Sequence, residues 1–236
     1  MQNYFYNVKE LEKAGIKYIL SIGKRQPMHI GHKRSLERII ALKEMKLIYV
    51  IGSSNTGKDP LFDPVVNPLT IDQQIEQFKQ VFPNQEAIFL PILDVADMGK
   101  WGPSIIDALN KIDIDPKKCA IHFIGKPEDK LMVESKFSLV DGKEVRLLPG
   151  QWLIEALSYY NLAIWFDQEM LVDLSISARK FRQLDLENLT LEQQNLLAAP
   201  DYLKNIAQEA RKNNPELLAE PITLYDLSLK RKKLEQ

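Results

Sequence analysis

The chain of 236 residues has a single cysteine, Cys119, only three histidines and a formal net charge of -1. One thiol excludes an internal disulfide and a cysteine-based metal cluster. The near balance of charges gives no sign of nucleic acid or a membrane surface as a partner, and we expect neither. No apolar run approaches the ~20 residues that a membrane helix needs, and residues 1–12 lack the apolar centre of a signal peptide. We therefore expect a cytoplasmic globular protein.

Short apolar runs alternate with helical patterns along the first three quarters of the chain. Strands are predicted at 17–22, 47–51, 87–90 and 120–124, and by weaker patterns at 145–148 and 163–166. Helical spacing of apolar residues begins at Lys33, and Thr70 followed by Gln73 predicts a capping box at the start of another helix. This alternation predicts an α/β fold, a Rossmann-like open parallel sheet with helices on both faces.

The strand signal stops near Arg182. The rest of the chain is rich in Leu, Glu, Gln and Lys and is interrupted by prolines. We therefore expect a main domain over residues 1–185 and a small C-terminal helical appendage over 186–236. The residues leave both a monomer and a homo-oligomer open.

A glycine-rich stretch after the second predicted strand, Gly52 to Lys58, comes close to a phosphate-binding P-loop. That motif needs Ser or Thr after its lysine to bind magnesium, whereas this chain has Asp59 and then Pro60. A carboxylate at that position would repel phosphates. We therefore do not interpret the stretch as a P-loop.

The strongest functional signal follows the first predicted strand, where positions 23–32 read Gly-Lys-Arg-Gln-Pro-Met-His-Ile-Gly-His. His29 and His32 are spaced to lie on the same side of a helix start, where free N–H groups attract phosphate. Gly31 leaves room for a nucleotide to approach the backbone. Lys24 and Arg25 add full positive charges. The carboxyl edge of an open α/β sheet is also where such folds bind ligands, so this loop is the candidate site.

A second cationic cluster lies at residues 175–182. Ser177 can cap a helix whose first turn presents Arg179 and Arg182. Backbone N–H groups together with guanidinium forks suit phosphate oxygens. Taken alone, the cluster fits an ordinary capped helix equally well, and its functional interpretation depends on the first loop.

The two stretches together resemble nucleotidyltransferases that carry a His-x-Gly-His motif. The chain looks most similar to nicotinamide mononucleotide adenylyltransferases of the archaeal type, which are also found fused to Nudix domains. That family reads Gly-Arg-x-Gln-Pro-x-His-x-Gly-His, which corresponds to 23–32, and Ile-Ser-x-Thr-x-x-Arg, which corresponds to 176–182. Further matches in the same order are Gly52-Ser53-Ser54, Asn67-Pro68-Leu69-Thr70, Pro91-Ile92-Leu93-Asp94, Trp101 and Gly125-Lys126-Pro127. The resemblance spans residues 17–185, and no Nudix-type glutamate cluster follows.

The resemblance implies transfer of the adenylyl group of ATP to nicotinamide mononucleotide, giving NAD and pyrophosphate. The protein would supply positioning and charge rather than a covalent nucleophile. Magnesium would be carried mainly by the ATP phosphates and water. The implied catalytic residues are His29, His32, Lys24 and Arg182; the implied ATP-binding residues are Gly23, Gly31, Ser177, Arg179 and Gly125; the implied acceptor-binding residues are Trp101, Asp94 and Ser53.

Four positions depart from the family pattern. Lys24 and Arg179 replace Arg and Thr on the ATP side, and Val66 and Met98 replace Arg and Asn on the acceptor side. The alternatives that stay open are transfer to nicotinate mononucleotide, pantetheine phosphate, a flavin or another phosphorylated acceptor, and a non-catalytic nucleotide-binding sensor. A shortened aminoacyl-tRNA synthetase core also shares the motif, but the near-neutral charge and the lack of a Lys-Met-Ser-Lys-Ser-like loop disfavour it.

Overall fold

The computed structural model describes residues 4–23, 25–52, 69–92, 101–124, 136–140, 143–147, 162–167, 170, 178–213, 221–224 and 226–227. For 101, 136–140, 143–147, 178 and 179 it describes the backbone alone. The strands are β1 Tyr4–Phe5, β2 Tyr18–Gly23, β3 Lys46–Ile51, β4 Ile88–Pro91, β5 Cys119–Ile124, β6 Lys136–Val140, β7 Lys143–Leu147 and β8 Ala163–Asp167. The helices are α1 Val8–Lys13, α2 Ile30–Ile40, α3 Ile71–Val81, α4 Trp101–Asn110, α5 Ala178–Phe181, α6 Leu191–Leu196 and α7 Pro200–Asn213, with a 3-10 turn at Pro116–Lys118.

Six strands form one parallel sheet in the order β1-β8-β5-β2-β3-β4. Tyr18 of β2 pairs with Cys119 of β5, and Ala120 of β5 pairs with Ala163 of β8. After β1, which lies at the edge of the sheet beside β8, the chain forms β2, adds β3 and β4 on one side of it, and then adds β5 and β8 on the other. This arrangement confirms the predicted α/β fold with an open parallel sheet.

Two features of the strands were not expected. The two-residue edge strand β1 is too short to produce an alternating pattern in the sequence. The strand predicted at 145–148 overlaps β7 at 145–147, and β7 pairs antiparallel with β6 in a separate two-stranded sheet. The residue pattern of a single strand does not specify which strand it pairs with, so the pairing of β7 with β6 could not be predicted.

The chain packs as two compact units, each assembled from several segments. The first unit comprises Met1–Ile22, Leu42–Tyr49 and Asp97–Val172, and the second comprises Gly23–Ala41, Val50–Ala96 and Asp173–Gln236. The predicted boundary between 185 and 186 falls inside the second unit. Residues on both sides of it share one apolar core, formed by Leu69, Phe181, Leu186, Leu197, Leu203, Ala207, Ile222 and Leu224.

The core of the first unit contains a buried polar pair that the sequence did not indicate. His122 of β5 and Asp167 of β8 place Nε2 and Oδ2 3.3 Å apart, and both side chains are buried. The ring of Trp165 lies 4.7 Å from that of His122, centroid to centroid. Because parallel strands bring these residues together across 45 positions, only the sheet register reveals the pair.

The helix predicted after Thr70 is present as α3. Thr70 caps α3, and Gln73 completes the capping box from the other side, as predicted.

Burial of Cys119 in β5 raises the pKa of its thiol to about 12, so this cysteine is a packing residue. Within the part of the chain that the structure describes, no helix is long and apolar enough to cross a bilayer.

Candidate functional site

Two histidines cap the start of α2. His29 is the N-cap residue, with extended backbone at φ -114° and ψ 172°, and its Nδ1 accepts the N–H of Gly31 over 3.2 Å. The backbone N–H of His29 in turn donates to Nδ1 of His32 over 3.4 Å. In most helices Ser, Thr or Asp with Glu or Gln fills these positions. Here the helix begins at Ile30, three residues before the first residue of the predicted pattern, because the imidazoles satisfy its first N–H groups.

The two imidazole rings are stacked, with centroids 3.7 Å apart and planes inclined by 25°. His29 is buried, and His32 is partly exposed. A Cβ added at Gly31 would lie 3.1 Å from Cε1 of His29, closer than ordinary van der Waals contact. The glycine therefore makes room for the ring of His29.

The hydrogen bonds assign the tautomer of each ring. Because Nδ1 of His29 and Nδ1 of His32 both accept backbone N–H groups, the proton of each neutral ring lies on Nε2. Burial and the charge of Arg25 lower the pKa of His29 to about 4. Burial, His29 and the Arg25 and Arg182 guanidiniums lower the pKa of His32 to about 2. At neutral pH both rings are thus neutral and offer Nε2–H as a hydrogen-bond donor.

Two buried arginines flank the histidine pair. Nη1 of Arg25 donates to the carbonyl of Gly23 over 3.4 Å, and Nε of Arg182 donates to the carbonyl of Gln26 over 2.6 Å. Both side chains are buried, and both are close enough to His32 to lower its pKa. Buried guanidiniums beside neutral N–H donors form an environment that favours an anion. Phosphate is the anion class that a helix start of this kind binds.

Residues between 181 and 198 pack directly on residues 25–32, which we call the histidine loop. The ring of Phe181 lies 6.2 Å from that of His29, and the N–H of Ala198 donates to the carbonyl of Met28 over 3.0 Å. His29 also forms an isolated antiparallel bridge with Leu197. The sequence analysis missed the contacts at 197 and 198, because apolar residues in a helix-rich tail carry no local signal of a distant partner.

The structure brings five of the predicted site residues into the second unit as described residues: Gly23, His29, Gly31, His32 and Arg182. Arg25, which the sequence analysis treated as an added charge, contacts Gly23 and acts on both histidines. Outside the described residues lie Ser53, Asp94, Gly125, Ser177 and Lys24, together with the side chains of Trp101 and Arg179. The proposed acceptor side is thus not described, whereas the proposed ATP side largely is.

The donor set around His29 does not fit a magnesium ion held by the protein. Its groups are imidazole and guanidinium nitrogens, whereas Mg²⁺ prefers carboxylate, phosphate and water oxygens. Over the described ranges no three His, Cys, Asp or Glu residues cluster as metal ligands. This chemistry suits a site for phosphate oxygens rather than for a bare cation.

Protein-family models give no match to this chain, and the curated proteins give no significant match either. The features of this chain that point to a function are therefore its motifs and the geometry around His29 and His32.

Proposed function

We propose that the protein is an adenylyltransferase that joins ATP and nicotinamide mononucleotide to give NAD and pyrophosphate. The observation that carries the proposal is the stacked pair of His29 and His32 at the start of α2, in which Nδ1 of each ring accepts a backbone N–H and Nε2 carries the proton. Arg25 and Arg182 place two positive charges beside that pair. The ordered motifs over residues 17–185 supply the reaction class.

In the proposed reaction a 5′-phosphate oxygen of the acceptor attacks the α-phosphorus of ATP. The bond from that phosphorus to the bridging oxygen of pyrophosphate breaks, and pyrophosphate leaves with the electron pair. Nε2–H of His29 and of His32 would donate to phosphate oxygens on which negative charge develops. Because both rings are neutral, the positive charge beside the phosphates would come from the guanidiniums of Arg25 and Arg182.

The described residues also define what the protein would contribute to binding. Gly31 allows the His29 ring to lie against the backbone, so both imidazoles are held before a nucleotide arrives. The cap bonds and the stack thus preorganise the donors, which lowers the cost of ordering them in the transition state. Magnesium would enter with the nucleotide, where it neutralises charge on the phosphates.

The test measures pyrophosphate release from ATP and magnesium, with nicotinamide mononucleotide and nicotinate mononucleotide supplied separately. We expect release together with the matching dinucleotide for the amidated acceptor. Release with the acid form alone would keep the reaction class and change the substrate. Protein that binds ATP but releases no pyrophosphate with either acceptor would contradict the proposal and favour a nucleotide sensor or a different acceptor.

The matched variants are His32→Ala and Arg34→Ala. Both positions lie on α2, but Arg34 is exposed and takes no part in the site. Loss of turnover in His32→Ala with normal turnover in Arg34→Ala would tie the activity to the histidine pair. Equal activity in both variants would separate the activity from this site.

A further inference from the structure

Two buried glutamines link the histidine loop to the start of α3. Oε1 of Gln77, on α3, accepts the backbone N–H of Met28 over 2.9 Å. Oε1 of Gln26, in the loop, accepts the backbone N–H of Leu69 over 2.8 Å. Both glutamines are 0% exposed. Each segment thus holds a backbone N–H of the other through an amide side chain, an arrangement we call the glutamine latch.

The amide side chains of Gln26 and Gln77 each have one acceptor oxygen and one donor NH₂ group, and the latch uses the oxygen. Each amide oxygen must face the N–H that it accepts, so the Nε2 group is turned away from that contact. Nε2 of Gln26 and Nε2 of Gln77 are buried and have no hydrogen-bond partner among the described residues. A buried donor without an acceptor lowers stability. Among the described residues, the side-chain hydrogen bonds of the two glutamines are therefore made by their acceptor oxygens, each of which satisfies a backbone N–H.

The latch acts on the peptides that lead into the site. Met28 directly precedes His29, and its N–H and C=O are held by Gln77 and by Ala198 respectively. The carbonyl of Gln26 accepts Nε of Arg182 over 2.6 Å. The Gln77 end of the latch thus holds the residue before His29, and the backbone of Gln26 at the other end orients the guanidinium of Arg182.

We propose that Gln77 and Gln26 are positioning residues that hold the histidine loop in the conformation in which Nδ1 of both imidazoles accepts a backbone N–H and Nε2 carries the proton. The inference deepens the proposed function and rests on it for the identity of the bound anion. The geometric part, the control of the imidazoles by the latch, does not depend on any activity.

The first experiment compares Gln77→Met, Gln77→Glu and Gln80→Met in the full chain. Methionine keeps the length of the side chain and removes the acceptor, whereas glutamate keeps an acceptor oxygen at the same reach. Gln80 is an exposed residue of the same helix that bonds to Glu76, so Gln80→Met is the matched control. The readouts are the ¹⁵N signals of the His29 and His32 rings, the affinity for inorganic pyrophosphate and the midpoint of thermal unfolding.

In Gln77→Met we expect the ¹⁵N signals to show that the proton of the His29 and His32 rings is no longer confined to Nε2. We also expect the affinity for pyrophosphate to fall at least tenfold. Gln77→Glu should restore the tautomer pattern, because it keeps the acceptor oxygen, but not the pyrophosphate affinity, because a carboxylate opposes anion binding. Gln80→Met should leave both readouts unchanged. A merely structural role would lower the unfolding midpoint of Gln77→Met without changing the imidazole signals of the folded protein. That result, or equal changes of the imidazole signals in Gln77→Met and in folded Gln77→Glu, would overturn the proposal.

A second variant keeps the test decisive if Gln77→Met does not fold. Gln77→Asn retains the amide but is one methylene shorter, so its oxygen falls short of the Met28 N–H. It should reproduce the loss of the tautomer pattern, and an unchanged pattern would overturn the proposal. If the ring signals respond as expected but no variant or wild-type protein turns over ATP, the latch stands and the proposed function fails.

Discussion

Nε of Arg182 donates a hydrogen bond of 2.6 Å to the backbone carbonyl of Gln26, across 156 positions of the chain. This bond joins the two cationic stretches that the sequence shows separately. It also uses Nε rather than the outer nitrogens of the guanidinium, so the orientation of the fork is set by the histidine loop itself. The carbonyl that orients the guanidinium is that of Gln26, which precedes Pro27 in the motif at positions 23–32.

Replacing either histidine should reduce catalysis far more than it reduces stability. We expect His32→Ala to lower kcat by about 10²–10³, the usual effect of removing one preorganised donor. His29→Ala should also lower the free energy of unfolding by ~0.5–2 kcal/mol, because it removes the N-cap of α2. Pyrophosphate release and urea denaturation measure the two effects. Near-normal kcat in His32→Ala would refute the proposed contact of His32 with the phosphates of ATP.

The histidine pair should make the protein less stable as the pH falls. Both rings have folded-state pKa values below the ordinary 6.5, at about 4 for His29 and about 2 for His32. The unfolded chain therefore binds more protons between these values and 6.5, and stability present at pH 7 is lost on acidification. We expect a loss of about 2 kcal/mol for each histidine between pH 7 and pH 5. NMR titration and urea denaturation check this, and rings that titrate near 6.5 would contradict it.

Gly31→Ala should damage the site through the His29 ring. The new Cβ would lie 3.1 Å from Cε1 and 3.2 Å from Nδ1 of that ring, so the ring must shift by a few tenths of an ångström. We expect kcat/KM to fall, by less than the roughly 10²-fold that a 1 Å misplacement of a catalytic group causes. Gly15→Ala is the stability control, because φ there is +74° with nothing within 4 Å and alanine costs ~1–2 kcal/mol of backbone strain alone. Equal losses of activity in the two variants would show that lowered stability, and not ring position, is the cause.

Arg182→Lys should be harmful although it keeps the charge. Lysine has neither the Nε that bonds to Gln26 nor the planar fork. We expect the free energy of unfolding to fall by ~1–3 kcal/mol and the affinity for ATP to fall with it. Lys180→Ala, at an exposed neighbouring position, should stay within about 0.5 kcal/mol of the wild type. Urea denaturation measures the stability of each variant, and titration with ATP measures its affinity. If Arg182→Lys matched the wild type in both, only the positive charge of Arg182 would be required.

The C-terminal helices should be essential to the second unit. Leu203 of α7 is 0% exposed in the core that contains Leu69 and Phe181. Leu203→Ala should therefore cost ~2–5 kcal/mol of the free energy of unfolding. Leu191→Ala, the same change at a residue that is 73% exposed, should stay within about 0.5 kcal/mol. If urea denaturation showed Leu203→Ala to be as stable as Leu191→Ala, the C-terminal segment would be a separable appendage.

Much of the fold could be predicted because its signals are local. The β2 and β3 runs are buried apolar stretches, and the capping box of Thr70 and Gln73 is complete within four residues. The strands β1 and β6 escaped prediction, and so did the pairing of β7 with β6, since a short strand is identified by what it pairs with. The core that joins Leu69 to Leu203 is likewise a matter of tertiary packing.

The sequence by itself determined the parallel α/β fold and pointed to the loop of His29 and His32, because periodicity, glycine placement and motif spacing are properties of neighbouring residues. Only the tertiary structure decided the tautomers of the imidazoles, the burial of Arg25 and the partner of Arg182. It also revealed Gln77 as the residue that holds the peptide ahead of His29. Burial, desolvation and hydrogen bonds between distant segments exist only when the chain is folded, and they set the chemistry of this site.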